Sequence, residues 1–217
     1  MAKSYVLGLQ AHVWRASVTK LFLVRHAHNV HSREQPDHEW PLSPTGEAQA
    51  HRLAHLLREL RIDVVVSSEC RRTRASVEPF SIANGAPIFL ESDLRGRLLS
   101  SDWITDWDAV LDDLHGDPEY CLPGGESANS SRIRFEGALH RIAKRWSGAR
   151  VAVATHGIVI AHLMRHQNRV LPAAYYRKIQ CPHVFELTWG EAARWEAEYT
   201  LDGAPGVFAE AVSLGNL

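Results

Sequence analysis

No stretch of this 217-residue chain approaches the roughly 18 consecutive apolar residues that a membrane-crossing helix needs, so a membrane span is excluded at the outset. Cysteine is scarce. Cys70, Cys121 and Cys181 are odd in number, far apart and without a CxxC pair, which argues against a disulfide framework and a cysteine-built zinc site. A reducing cytoplasm is the simplest compartment. Net charge is nearly absent at −1, so nothing in the overall balance favours nucleic acid or an anionic membrane surface. Any anion must be bound by locally placed arginines. Residues 1–19 lack an acidic residue, but their apolar run at 5–9 is too short for a secretory signal, and they read as an N-terminal extension. There is no internal repeat and no low-complexity tract. What remains, 45% hydrophobic and 23% charged, is ordinary for a soluble globular chain and suits a single domain over 1–217.

Leu21, Phe22, Leu23 and Val24 form a short apolar run that stops at Arg25-His26, so a buried strand ends where a cation and an imidazole begin. His26, His28 and His31 fall within six residues, a density that suits a site, although by itself the segment also fits a metal-binding tract or a satisfied turn. Ser43-Pro44 reads as the N-cap and first residue of a helix over 44–60, continued by Ala48, Leu53, Leu56, Leu57 and Leu60 at helical spacing. A strand over 62–66 leads to Ser67-Ser68, which cap a helix over 69–83. Its first turn carries Arg71, Arg72 and Arg74, cations that oppose the helix dipole, so either an anion compensates them or all three point into water.

Asn84-Gly85 turns the chain into a strand over 87–90. Residues 92–129 are irregular, with Trp103 and Trp107 on a short helix, and read as an insertion that covers the site. A helix over 126–146, with Ile133, Phe135, Leu139, Ile142 and Trp146 near helical spacing, returns the chain to the core. A strand over 150–154 ends at Thr155-His156-Gly157, a helix over 158–166 follows, and 184–188 with 195–200 form a hairpin about Gly190. The pairs His51/His55 and His162/His166 have metal-compatible i, i+4 spacing but no third ligand nearby, and read as surface placement.

Strands alternating with helices imply an α/β fold of three layers, α/β/α, around a mostly parallel sheet whose sites gather at the carboxyl ends of the strands. Arg25-His26, residues 67–72 and Thr155-His156 each follow such an end. Two arginines and two histidines meeting there would make an electropositive pocket sized for a phosphoryl group, because guanidinium forks match phosphate oxygens.

Five segments in this order resemble the histidine phosphatase superfamily, also called phosphoglycerate mutase-like. LFLVRHAHN is similar to the family's LVRHG opening, PLSPTGEAQA to its LTxxGxxQA, VVVSSECRRTRAS to its SSxLxRAxxT, PGGES to its own PGGES, and VAVATHGIVI to its VSHGGVI. The resemblance implies that His26 is the nucleophile that becomes phosphorylated, that Arg25, Arg72 and a protonated His156 hold the transferring group, and that no metal or cofactor takes part. His28, where the family commonly has Glu or Gln, is a substrate-binding candidate. Ala27 replaces a glycine and Ser32 an asparagine. The larger departure is Gly96, which stands where the family's LRE places its proton-donating glutamate: either Asp93, Asp102, Glu126 or His28 takes over, or the leaving group needs no proton, or the protein no longer performs standard phosphomonoester hydrolysis.

The function so implied is metal-independent hydrolysis of a small phosphorylated substrate through phospho-His26. A repurposed member that binds a phosphorylated ligand and a phosphoglycerate mutase-type phosphotransferase are the alternatives, with a metal-dependent hydrolase on His26, His28 and His31 a third. Trp103, Trp107, Tyr120 and Leu122 suggest a ring-containing or apolar substrate group. No nucleic-acid or membrane partner is expected, and a homodimer is left open.

Overall fold

The computed structural model describes residues 18–106, 110, 117–167, 171, 173–190, 193–203 and 206–207. In chain order these form β1 (Thr19–Arg25), α1 (Pro44–Glu59), β2 (Val64–Ser67), α2 (Arg71–Asn84), β3 (Ile88–Leu90), α3 (Ala128–Arg145), β4 (Arg150–Thr155), α4 (Gly157–Gln167), β5 (His183–Trp189), β6 (Ala193–Thr200) and β7 (Gly206–Val207). Short 3-10 turns lie at Asp37–Glu39, Ser92–Leu94 and Ala173–Lys178. The sheet order is β3-β2-β4-β1-β5-β6-β7. β3, β2, β4 and β1 run parallel, and β5, β6 and β7 continue the sheet antiparallel.

The apolar run of β1 is continuous because both faces of this central strand are covered. Leu21 and Leu23 pack with Phe135, Leu139, Ile160 and Leu163 of α3 and α4. Phe22 and Val24 point the other way, toward Leu53 and Leu57 of α1 and Val77 and Phe80 of α2. Period-two alternation in the strand thus feeds two cores, one on each side of the sheet, which is the three-layer arrangement expected. In the register Arg25 lies level with Thr155, and Ser67 with Ala154, so the three strand ends open onto one place.

Helix starts follow capping chemistry where a hydroxyl is available. Ser43 accepts a bond from the Gly46 amide at α1, and Ser127 from the Ser130 amide at α3. α2 differs from the expectation: it begins at Arg71 after Cys70, which offers no side-chain cap, while Ser67 ends β2 and Ser68 lies in the turn. The Ser68 hydroxyl is engaged within the site instead, and that of Ser67 donates to the Ser68 carbonyl. Thr19, assigned to the N-terminal extension, opens β1 opposite Trp189. Ile133 is 60% exposed and does not belong to the buried face of α3. Trp103 lies in a loop, and Trp107, residues 1–17 and residues 208–217 fall outside the described residues.

Candidate active site

β1 delivers Arg25 and His26 to the carboxyl edge of the sheet, where the His26 amide donates to the Thr155 carbonyl at 3.1 Å and extends the ladder by one residue. The Ala27 amide then donates to Ser76 Oγ of α2 at 2.8 Å, which fixes the turn after the strand. His26 Nδ1 lies 2.8 Å from the Ala27 carbonyl. A carbonyl can only accept, so Nδ1 carries the proton and Nε2 is the ring nitrogen with the free lone pair. Burial, with the Arg72 guanidinium next in effect, holds the His26 ring down to about 3, so it is neutral across the physiological range.

His156, at the end of β4, is nearly closed from solvent and its ring centroid lies 5.3 Å from that of His26. Arg72 Nη2 lies 3.2 Å from His156 Nδ1 and can only donate, so Nδ1 accepts and Nε2 holds the proton. That proton is given to Ser68 Oγ at 3.1 Å, Ser68 Oγ meets Thr73 Oγ1 at 2.7 Å, and Thr73 Oγ1 donates to the Cys70 carbonyl at 2.8 Å. The hydroxyl relay fixes the ring's orientation. Burial and then Arg72 push His156 well below the usual histidine value, which favours a neutral ring in the free protein; the protonated ring expected from the sequence belongs to the state with an anion bound.

Of the three arginines in the first turn of α2, Arg72 turns inward and is 6% exposed, whereas Arg71 and Arg74 face solvent. Arg25 is half-buried, and its Nη1 donates to the Ile179 carbonyl. Its buried Nε–H has no acceptor among the described residues, a donor that calls for an oxyanion. Room for this guanidinium comes from Gly157: a Cβ there would lie 2.9 Å from Arg25 Cδ and 3.0 Å from Nε. The site therefore brings together Arg25, His26, Arg72 and His156. His28 stands apart from them: it is exposed, and its Nδ1 lies 2.8 Å from Ser43 Oγ at the cap of α1. Gly96 does reach the site, since a Cβ built on it would lie 3.3 Å from His156 Cγ.

The candidate substitutes for an acid fare differently. Burial would raise the Glu126 carboxyl, but bonds from Arg134, Arg95 and the Leu98 amide outweigh it and hold it down to about 2. Asp93 pairs with Arg141 at 2.6 Å, and Asp102 is exposed, its amide bonded to Ser100 in its own loop.

A cover lies over the pocket, and its central part comes from the segment 31–40, between β1 and α1. Trp40 is buried and its indole N–H is shared by the carbonyls of Ser32, at 2.9 Å, and Gln35, at 3.1 Å. Arg72 lies over the Trp40 ring, 5.7 Å from its centroid. Beyond it Asp37 caps the same guanidinium: its carbonyl accepts from Nη1 at 2.5 Å and its Oδ2 from Nη2 at 3.1 Å. His31 stacks on Trp40 at 4.6 Å, Trp103 meets Trp40 edge-on at 6.3 Å, and Arg33 lies over Trp103. An open groove of about 670 Å³ lined by Leu42, Glu47, Arg71 and Glu78 lies outside this pocket and includes none of its four residues. The sequence signal available was the spacing of Trp40 and Asp37 just ahead of the α1 cap, which nothing local marks as a lid.

A model of the Histidine phosphatase superfamily (branch 1) matches residues 21–199. The chain is 32% identical over 158 residues to Probable phosphoglycerate mutase GpmB of Shigella dysenteriae serotype 1 (strain Sd197), covering 67% of this chain and 73% of that one. It is 30% identical, at the same coverage, to the protein of that name from Enterobacter sp. (strain 638). In fold it is similar to a mycobacterial glucosyl-3-phosphoglycerate phosphatase, with a TM-score of 0.65, 22% identity and coverage of 82% of this chain and 95% of that one. Bacillus stearothermophilus YhfR aligns with the same TM-score at 23% identity, with the same two coverages. Among the described residues no helix is long and apolar enough to cross a membrane.

Proposed function

The chain belongs to branch 1 of the histidine phosphatase superfamily, and from that premise we propose that it is an enzyme of the phosphatase type, which hydrolyses a phosphomonoester through a phosphoryl group carried on His26. The observation that carries this reading is the tautomer of His26: Nδ1–H is committed to the Ala27 carbonyl, and the lone pair of Nε2 belongs to a ring that stays neutral beside two arginines. In-line attack by Nε2 on phosphorus needs that nitrogen unprotonated, and charge on the equatorial oxygens is met by the guanidinium groups of Arg25 and Arg72. Those fixed cations supply the stabilisation that a metal ion supplies in other phosphoryl-transfer sites.

His156 adds to the cradle once the dianion is present, because a neighbouring double negative charge favours the imidazolium that burial and Arg72 disfavour in the free protein. An anion held at Arg72 also lies in the first turn of α2, on the favourable end of its dipole. The substrate's remaining part meets His31, Trp40 and Trp103, which favours a ring-containing group. Hydrolysis is favoured over the phosphotransfer implied by the name of the enterobacterial relatives, because RHAHN departs from the mutase-like RHGES-type opening.

The test is turnover of p-nitrophenyl phosphate with a chelator present, expected for the unmodified protein and abolished in His26→Ala. Full activity in that variant would contradict the mechanism. With 3-phosphoglycerate, release of inorganic phosphate supports the phosphatase and formation of 2-phosphoglycerate the mutase. Phosphate binding without turnover of any ester would instead mark a repurposed binding protein.

A further inference from the structure

Gly96 leaves the pocket without a side chain beside His156, yet a carboxylate does stand at its mouth. We propose that Asp37 is the proton donor to the leaving group, supplied by the covering segment rather than by the strand end; this rests on the phosphohistidine reading above. The position is fixed by two bonds from one guanidinium: Arg72 Nη1 to the Asp37 carbonyl and Nη2 to Oδ2 at 3.1 Å, the same Nη2 that lies 3.2 Å from His156 Nδ1. Two oxygens that share a nitrogen at ordinary hydrogen-bond length lie within ~6 Å of each other, so a phosphoryl oxygen that joins Asp37 Oδ2 on Arg72 Nη2 brings the ester oxygen beside the carboxyl. The segment is anchored by the buried Trp40, whose indole N–H ties it to Ser32 and Gln35. Placement of Asp37 is therefore built in.

Rival donors are each committed elsewhere. Glu126 is held ionised by Arg95 and Arg134. Glu91 and Asp93 both pair with Arg141, at 2.9 and 2.6 Å. His28 lies against Ser43, and His31, though close, is kept neutral by burial and by Arg72. The groups that face Asp37 are Arg72, His31 and the Cys70 thiol.

The proton and electron count then closes. His26 Nε2 forms a bond to phosphorus with its lone pair, the P–O bond to the leaving group breaks with its electron pair remaining on oxygen, and the Asp37 proton neutralises that oxygen to give an alcohol. In the second step a water oxygen attacks phosphorus, its proton passes to solvent, from which Asp37 regains the proton it gave, the P–N pair returns to Nε2, and inorganic phosphate leaves.

The experiment compares the full-length protein with Asp37→Asn on a series of aryl phosphates of rising leaving-group pKa and on glycerol phosphate. The unmodified protein is expected to show a shallow dependence on leaving-group pKa. Asp37→Asn is expected to keep the p-nitrophenyl rate within ~3-fold while losing ~10²–10⁴ on glycerol phosphate, with a steep dependence and partial recovery in Asp37→Glu. Equal losses on both esters, or no loss on either, would overturn the assignment while leaving the phosphohistidine step intact. A steep dependence already present in the unmodified protein would do the same. Retained activity in His26→Ala would overturn the phosphohistidine reading, and the donor assignment with it.

Discussion

Gly157 lies directly beneath the Arg25 guanidinium, so that a single methyl group at that position would crowd Cδ at 2.9 Å and Nε at 3.0 Å. Arg25 cannot retreat freely, because its Nη1 is tied to the Ile179 carbonyl. Gly157→Ala should therefore displace a phosphate-facing donor while leaving the fold in place. The expected loss is that of one charge-assisted contact, ~1.5–3 kcal/mol, or roughly 10- to 100-fold in kcat/KM. Steady-state kinetics beside a thermal melt checks this; an unchanged kcat/KM would mean that Arg25 takes no part in binding.

Arg72 contacts both Asp37 and His156. Arg72→Ala should weaken inhibition by vanadate by roughly 10- to 100-fold, the worth of a lost charge-assisted partner. An unchanged inhibition constant would remove Arg72 from the anion site.

The buried histidines give stability a definite pH dependence. His26 is held near 3 when folded and returns to about 6.5 when unfolded, so below pH 6.5 the unfolded chain binds a proton that the native state refuses. His156 is depressed in the same direction, and His183 is pushed down to about 4 by burial and then by Arg25. Stability therefore falls as the medium is acidified from pH 7 to 5, by about 2 kcal/mol for His26 alone. Urea unfolding at the two pH values should show a smaller drop in His26→Ala than in the unmodified protein.

The strands and helices were legible because both cores are written as periodicities: Leu21 and Leu23 against Phe22 and Val24 in β1, and Leu53 with Leu57 in α1. Arg25, His26, Arg72 and His156 were legible as residues following strand ends. Three things were not. Ser67-Ser68 looks like a cap to any reader of local sequence, but Ser68 is drawn into the His156 relay by contacts 88 residues away. The protonation of His156 depends on burial and on the proximity of Arg72, both set by tertiary structure. Asp37 sits in a polar loop without periodicity, and only the packing of Trp40 turns that loop over Arg72.

Glu126 provides a contrast to Asp37. It is bound by both Arg95 and Arg134, and its replacement by Gln leaves two partly buried guanidinium groups with weaker acceptors. Glu126→Gln should lower stability by ~1–3 kcal/mol without changing the leaving-group dependence. A selective loss on alkyl phosphates in that variant would make Glu126 the acid after all.

The most direct measurement is rapid chemical quench of the unmodified protein with a ³²P-labelled aryl phosphate, followed by identification of the labelled residue. A phosphoryl group that survives base, is released by acid and maps to His26 is the expected result, with its amount rising and decaying in step with turnover. Steady turnover with no protein-bound phosphate at any time, or label on a residue other than His26, would contradict the covalent mechanism.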